Sequence, residues 1–478
     1  MSIFENYQPA IVLKYFEELC SIPHGSNHSC QVAEWLVSFA VSHGLKYRRD
    51  SVDNVIIFKP ASLSYESSEP IILQAHTDMV CEKLQDIEFD FMKDSLKLAI
   101  DGDFVKATGT TLGADDGIGV AMILAVLTDE NLSHPDIEAV FTSDEEIGMI
   151  GAAALDTDGL KSKNLINLDC EDEGVFYVGC AGGNVTKNTL PVNREEYSGE
   201  YIKITVTGLN GGHSGVDIDK GRANSNVLIT RLLAIVSKEV DMRIVSVNGG
   251  NKDNAIACHS EAIIAIDDET AFDRVFSHFA DDIKSEYKLT EKNLNIYCEK
   301  TETYVPMNKE STQKVLCLLS LSPDGIQAMS NDIPGLVETS LNLGILATSD
   351  DEVSLSHCVR SGIESQKNML VDRLSLLASF LGGSTEISGD YPAWEYNPDS
   401  KLRNIASDAY KSLYNAEPQI ATIHAGLECG TLSSKISGLD CISIGPTILD
   451  VHTPRERFAI SSLERTWKML VEILKNLK

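Results

Sequence analysis

Apolar residues recur at helical spacing over residues 10–20, where Ala10, Ile11, Val12, Tyr15, Phe16 and Leu19 mark one face, and Pro23 is expected to end the helix. A second amphipathic helix is predicted over 29–43. Strands follow near 45–50, 54–58 and 71–75, and Asp101-Gly102-Asp103 reads as a hairpin turn. An apolar helix over 120–128, a strand over 137–141 and a short apolar strand over 164–169 complete this first portion. After about residue 185 the pattern changes. Strands near 201–206, 243–247, 261–267 and 293–298 enclose helices near 222–238 and 270–287. A second set then follows: a helix near 309–320, strands near 338–347 and 353–360, and a helix near 364–381. This order predicts an α+β insertion of one or two ferredoxin-like units. The first pattern then returns with Trp394, a helix near 400–414, the strand 441–444 and a final amphipathic helix over 461–476. The expected organisation is therefore an α/β domain in two parts, 1–185 and 392–478, interrupted by an inserted domain over 186–391.

Several predicted strands run directly into polar residues. Ile71-Ile72-Leu73-Gln74-Ala75 leads into His76-Thr77-Asp78. Open α/β sheets bind ligands just beyond the carboxyl ends of their strands. Residues at i and i+2 of an extended segment point to one side. His76 could thus hold a metal while Asp78 orients it, the alternative being a core histidine bonded to a carboxylate. The glycine-rich segment 108–119 matches neither the dinucleotide fingerprint nor a P-loop. Its adjacent Asp115 and Asp116 would repel an anion, so a metal site at a strand-to-helix junction suits Asp115 better; simple helix capping by the two aspartates is the other reading. Asp144, Glu145 and Glu146 follow the strand 137–141, where three acids are costly unless a cation faces them or they complement a helix dipole. Asp169 ends another apolar strand, and His452 lies in a loop after 441–444. Strand ends are expected to deliver His76, Asp115 or Asp116, and Asp169 to one sheet edge, with Glu145-Glu146 arriving from a fourth.

Composition narrows the partners. The 478 residues are too many for one ordinary core, and 43% apolar with 23% charged residues is globular. A net charge of -31 argues against nucleic acid and against an anionic membrane surface. No apolar run approaches the roughly 18 residues that span a bilayer, and no secretory leader is visible. Eleven cysteines without a C-x-x-C pair read as reduced thiols of a cytoplasmic protein.

His76-Thr77-Asp78, Gly113-Ala114-Asp115-Asp116-Gly117, Glu145-Glu146-Ile147-Gly148, Asp169 and His452 together resemble the motifs of a family of co-catalytic zinc peptidases and deacylases. Carboxypeptidase G, succinyl-diaminopimelate desuccinylase, aminoacylase and carnosinase are members. The segments 74–80, 112–119 and 424–430 have the character of the family's aminoacyl-histidine dipeptidases, and the likeness spans nearly the full length. It implies an aminopeptidase-like α/β catalytic domain, with a mixed sheet flanked by helices, carrying an inserted lid. It also implies two zinc ions, with manganese or cobalt as substitutes. Asp115 would bridge them; Glu146 and His452 would complete one ion, His76 and Asp169 the other. Asp78 would orient His76, Glu145 would be the general base, and the Asp115–Asp116 peptide would be cis. In the insertion, Gly211-Gly212-His213-Ser214-Gly215 resembles the lid motif whose histidine steadies an oxyanion. Asn254, Arg360 and Gly426 would contact a small peptide substrate, Arg360 through its carboxylate, and the lid would allow a homodimer.

Elementary chemistry agrees with that ligand set. Nitrogen and carboxylate ligands without thiols suit zinc, manganese or cobalt in a reactive rather than a structural site. Three ligand carboxylates and two divalent ions leave one positive charge, which a hydroxide would neutralise. Glu145 cannot usefully bind both ions and carry a proton, so the adjacent pair divides the labour: Glu146 binds and Glu145 shuttles. The expected reaction is hydrolysis of dipeptides, with aminoacyl-histidine preference resting on the resemblance alone.

Overall fold

Burial on both faces explains the near-continuous apolar run of the central strand. All six residues of Ile71–His76 are buried, as parallel strands inside an α/β sheet require. The computed structural model describes residues 2–331 and 333–478. It divides into two compact units. The first takes the chain up to Cys180 together with Trp394–Thr422 and Leu427–Lys478; the second is Ala181–Ala393 with Ile423–Gly426.

The first unit is built on an eight-stranded mixed sheet. Its lateral order is Lys46–Arg49, Val55–Lys59, Ile137–Thr142, Ile71–His76, Asn164–Asn167, Asp440–Ser443, Val175–Cys180 and Gln419–Ile423. The four strands from Ile137–Thr142 to Asp440–Ser443 are mutually parallel. Their carboxyl ends therefore share one edge. Register pairs Leu73 with Ala139 and Ile166, and Ile166 with Ile442, giving an apolar face. This face joins one core with the helices Ala10–Leu19, Cys30–Ser42, Ala114–Thr128, Lys401–Tyr414 and Ile460–Asn476. The opposite face carries polar side chains towards the carboxyl edge: Gln74, Thr142, Asn167 and Ser443, all fully buried. A smaller four-stranded sheet pairs Leu98–Asp101, Phe104–Ala107, Arg457–Ala459 and Ile448–Leu449.

The apolar helix begins at Ala114, six residues before its predicted start, and is buried on every side from Gly117 to Leu127. Asp115 therefore comes from a helix start. The strand before it, Phe104–Ala107, belongs to the smaller sheet. The expectation that a strand end of the main sheet would deliver Asp115 is corrected on this point. Residues 112–116 are too irregular to show any strand period.

The second unit has one sheet and a repeated topology. Strands Glu200–Thr207, Met242–Gly249, Ser260–Ile266 and Asn295–Lys300 lie in the lateral order fourth, first, third, second. Helices Ser225–Glu239 and Glu269–Glu286 form the two crossovers, as in a ferredoxin-like unit. The same order recurs for Gly182–Pro191, Val337–Thr348, Glu352–Ser361 and Ser384–Tyr391, with helices Lys309–Leu321 and Glu364–Phe380. The two second strands meet at Gly249 and Leu346, joining both halves into one sheet. The repeat's first and last strands in chain order escape a periodicity reading for a physical reason. Gly182–Pro191 buries Asn184, Thr186 and Asn188, with Leu190 its one fully buried large apolar side chain. Ser384–Tyr391 is an edge strand with little burial at all.

Candidate metal centre

The parallel register brings the chemistry together. His76 is the last residue of its strand and lies opposite Thr142, after which the chain turns into Asp144, Glu145 and Glu146. Gln74 lies opposite Asn167, which places Asp169 two residues beyond the same edge. His452 sits in the loop between Ile448–Leu449 and Arg457–Ala459, with φ +60°.

Asp115 faces both histidines, one with each oxygen. Its Oδ1 is 3.0 Å from His76 Nε2, and its Oδ2 is 3.1 Å from His452 Nε2. His452 Nε2 also lies 2.9 Å from Glu146 Oε1, and His76 Nε2 lies 3.7 Å from Asp169 Oδ1. Ligand atoms of His76, Asp115 and Glu146 all fall within 4.8 Å of one another. The Asp115–Asp116 peptide is cis. So much negative charge at low exposure demands cations. With protons as the only counter-charges, the carboxylates hold His76 well above the ordinary imidazole range despite the opposing effect of burial. Hydrogen bonds to Asp115 and Glu146 raise His452 to about 11. Burial would raise Asp115, yet both imidazoles together drive it far below the carboxylate range. Two positive charges at these two positions are what the site requires. Divalent ions held by imidazole nitrogen and carboxylate oxygen fit that demand.

Asp78 serves this cluster through two different groups. Its backbone carbonyl accepts from His76 Nδ1 at 3.0 Å, which fixes a proton on Nδ1 and turns Nε2 towards Asp115. Its carboxylate stands further off, 3.6 Å from Nδ1. That carboxylate instead accepts from the backbone N–H of Glu145 (2.9 Å), the N–H of Glu146 (3.4 Å) and Ser26 Oγ (2.7 Å). The aspartate predicted to orient the histidine thus holds the Glu145-Glu146 turn as well. Burial, reinforced by Asp169, Glu428 and Glu146, pushes the Glu145 carboxyl well above its ordinary value, although His76 opposes this.

Two further acids escape the sequence reading. Glu428 is fully buried, and its Oε2 accepts from Gln74 Nε2 and Thr142 Oγ1, both at 2.6 Å. Gln74 Oε1 in turn accepts from Asn167 Nδ2 at 2.8 Å, so one polar layer ties three strands behind the ligands. Burial raises the Glu428 carboxyl to about 7. The second acid, Glu456, is 2% exposed and bonds to the loop that carries Asp115. Glu428 lies inside the segment 424–430 that carries the resemblance, but its buried partners follow only from the tertiary pairing. An acid four residues after a ligand histidine is the one hint that Glu456 offers.

The remaining predicted residues belong to the second unit. His213 Nδ1 accepts from the backbone N–H groups of Gly215 (3.1 Å) and Val216 (3.3 Å). Those two donors fix the neutral tautomer with its proton on Nε2, and burial followed by Arg360 lowers the imidazole pKa. Asn254 is exposed on the neighbouring loop, where its carbonyl accepts from Ser214 N–H at 2.9 Å. Arg360 is 6% exposed; Nη1 donates to Tyr391 Oη at 2.9 Å, while Nε has no hydrogen-bond partner among the described residues. Gly426 is half-buried two residues after His424, whose Nε2 lies 2.7 Å from Ser340 Oγ.

No helix among the described residues is long and apolar enough to cross a membrane. An α/β edge carrying two imidazoles, an aspartate between them and a neighbouring glutamate has the donor set of a hydrolytic metal centre. Residues 72–476 match the model of peptidase family M20/M25/M40, and the chain belongs to that family. It is similar to the cytosol non-specific dipeptidase of Escherichia coli K12, 39% identical over 482 residues covering 100% of this chain and 99% of the relative. The crystal structure of aminoacylhistidine dipeptidase from Vibrio alginolyticus matches with a TM-score of 0.93 at 37% identity, covering 99% of this chain and 98% of that one. A Staphylococcus aureus tripeptidase structure shares the fold, at TM-score 0.56 and 17% identity over 98% of this chain and 99% of that one.

Proposed function

We propose that this enzyme is a cytoplasmic dipeptidase that cleaves dipeptides, with aminoacyl-histidine substrates such as β-alanyl-histidine among them, using two zinc ions. Manganese or cobalt would be able to substitute. The observation that carries this reading is Asp115 presenting one oxygen to each histidine, with an acid partner beside each histidine. His76, Asp115 and Asp169 would hold one ion, and Asp115, Glu146 and His452 the other. When bound, such a pair lowers the pKa of water towards neutrality and polarises a carbonyl. Glu145, anchored through its backbone on Asp78, takes a proton from the attacking water and returns it to the leaving amine. His213 donates its Nε2–H to the developing oxyanion; the tautomer fixed by Gly215 and Val216 supports this role. Arg360 takes the substrate carboxylate, Asn254 bonds its backbone, and Gly426 lets backbone approach it. Free thiols at all eleven cysteines are consistent with a reducing compartment.

A panel of β-alanyl-histidine, glycyl-histidine, other dipeptides, tripeptides and N-acyl amino acids tests the substrate class. Dipeptides are expected to exceed matched tripeptides and acyl amino acids by at least about tenfold in kcat/KM, the scale of one lost charge-assisted contact. Equal rates on acyl amino acids would favour the deacylase reading instead. Arg360→Ala is expected to weaken kcat/KM on free dipeptides by roughly 10–100-fold, and to leave C-terminally amidated ones unaffected.

We also propose that the second unit pairs with a second copy of the chain. Met369, Leu376 and Phe380 lie along one face of the helix Glu364–Phe380, and Leu376 and Phe380 are 71% and 88% exposed. Ser384–Tyr391 next to it is the last strand in the order of its sheet. An edge strand paired with its own copy gives a two-fold antiparallel continuation, which fits a homodimer. Phe380→Asp is expected to convert a dimer to a monomer in sedimentation; an unchanged mass would remove this proposal.

A further inference from the structure

Four consecutive backbone N–H groups converge on a single buried carboxylate. Glu456 Oε2 accepts from Leu112 N–H (2.8 Å) and Gly113 N–H (3.1 Å). Its Oε1 accepts from Ala114 N–H (2.7 Å) and Asp115 N–H (3.4 Å). Gly113, at φ +67°, bends the loop so that these groups point inward, forming an anion-binding nest. The last two of these amides, of Ala114 and Asp115, open the helix Ala114–Thr128, whose N-cap residue Gly113 supplies no side-chain cap. A side chain at Gly113 would stand 2.8 Å from Met79 Sδ and 3.1 Å from His24 Nε2, and the positive φ already favours glycine there.

Glu456 is also joined to the loop of His452. Its own N–H donates to Thr453 carbonyl, and Thr453 Oγ1 donates to the carbonyl of Asp450. One side chain therefore connects the backbone of the shared aspartate to the loop carrying one of the two histidines. His76 reaches Asp115 by another route, through its strand and the Asp78 carbonyl. The contact is asymmetric between the two metal positions.

We infer that Glu456 is a positioning residue that sets the separation of Asp115 and His452, and so tunes the metal position of His452 and Glu146 in preference to that of His76 and Asp169. This rests on the ligand reading proposed above. Glu456→Gln nearly conserves shape, but its amide nitrogen would face N–H donors and leave two of them unpaired. Stepwise cobalt binding to the metal-free protein, read by visible absorption against a competing chelator, tests it. Wild type should show two tight positions. Glu456→Gln should keep one and weaken the other by at least about tenfold, the usual scale for a residue that orients a ligand. Its kcat on a dipeptide should fall with KM unchanged. Wild-type affinity at both positions together with wild-type kcat would overturn the inference, as would equal weakening of both. His452→Ala is the control. If it too retained both tight positions, the ligand assignment itself would fail and this inference with it. Should the glutamine variant not fold, hydrogen exchange on the wild-type protein reads the same contact. Protected amides at 112–115 support it, and exchange at free-loop rates overturns it.

Discussion

Glu145→Ala is expected to lower kcat by about 10²–10⁴-fold, the span that general acid–base catalysis contributes, while both metal positions stay filled. The side chain is not needed for binding in this account. Glu146 is the residue that approaches His452, and the Glu145-Glu146 turn is fixed through its backbone N–H groups on Asp78. Removing the Glu145 carboxyl therefore leaves the turn standing. KM should change little, because the lost interaction develops in the transition state. Metal analysis of the purified variant, alongside single-turnover rates, separates the two roles. Activity within tenfold of wild type would mean that another group moves the proton. Loss of metal would mean that Glu145 is a ligand.

Asp115→Ala should have the largest effect of all, because one residue serves both positions. Both ions are expected to be lost, and turnover should fall to the background of the metal-free protein. Chelation of the wild-type protein should do the same reversibly, with recovery on adding zinc, manganese or cobalt. The metal-free protein carries a further signature. Hydrogen bonds to Asp115 and Glu146 raise the folded His452 pKa to about 11, against an ordinary imidazole near 6.5. A raised folded pKa stabilises fully below the unfolded value, and that contribution is lost as pH climbs through the folded one. The melting temperature of the metal-free wild type should therefore fall between about pH 7 and 11. The metal-loaded protein should show no such slope over the same interval, because its imidazoles bind metal rather than protons. Parallel melting curves with and without chelator, across that range, check the sign.

Much of this organisation was legible before any coordinates. Helices with one apolar face, such as 10–19 and 460–476, announce themselves by period, and a strand buried on both faces, such as 71–76, by its near-continuous apolar run. Acids and a histidine directly after such strands stand out because burial makes them costly. What stayed hidden follows from the same physics. Gly182–Pro191 escapes because Asn and Thr occupy its buried positions, where hydrogen bonds such as Thr186 to Asn184 replace apolar packing. Asp115 reads as lying between a strand end and a helix because residues 112–116 are irregular; the structure places it in the first turn of the helix, as the capping reading had it. Glu428 and Glu456 answer partners more than 280 residues away, Thr142 and the 112–115 loop, and no local pattern encodes such a pairing. The Asp78 carboxylate was expected beside His76, yet the shorter bond there comes from its carbonyl.

Anomalous diffraction at the zinc edge, from crystals of the metal-loaded protein, tests the central claim most directly. Two peaks are expected about 3.5–4 Å apart, the spacing of co-catalytic pairs. One should lie within bonding distance of His76 Nε2 and Asp169, the other of His452 Nε2 and Glu146, with Asp115 touching both. A single peak, or a pair lacking Asp115 as a shared ligand, would contradict the account.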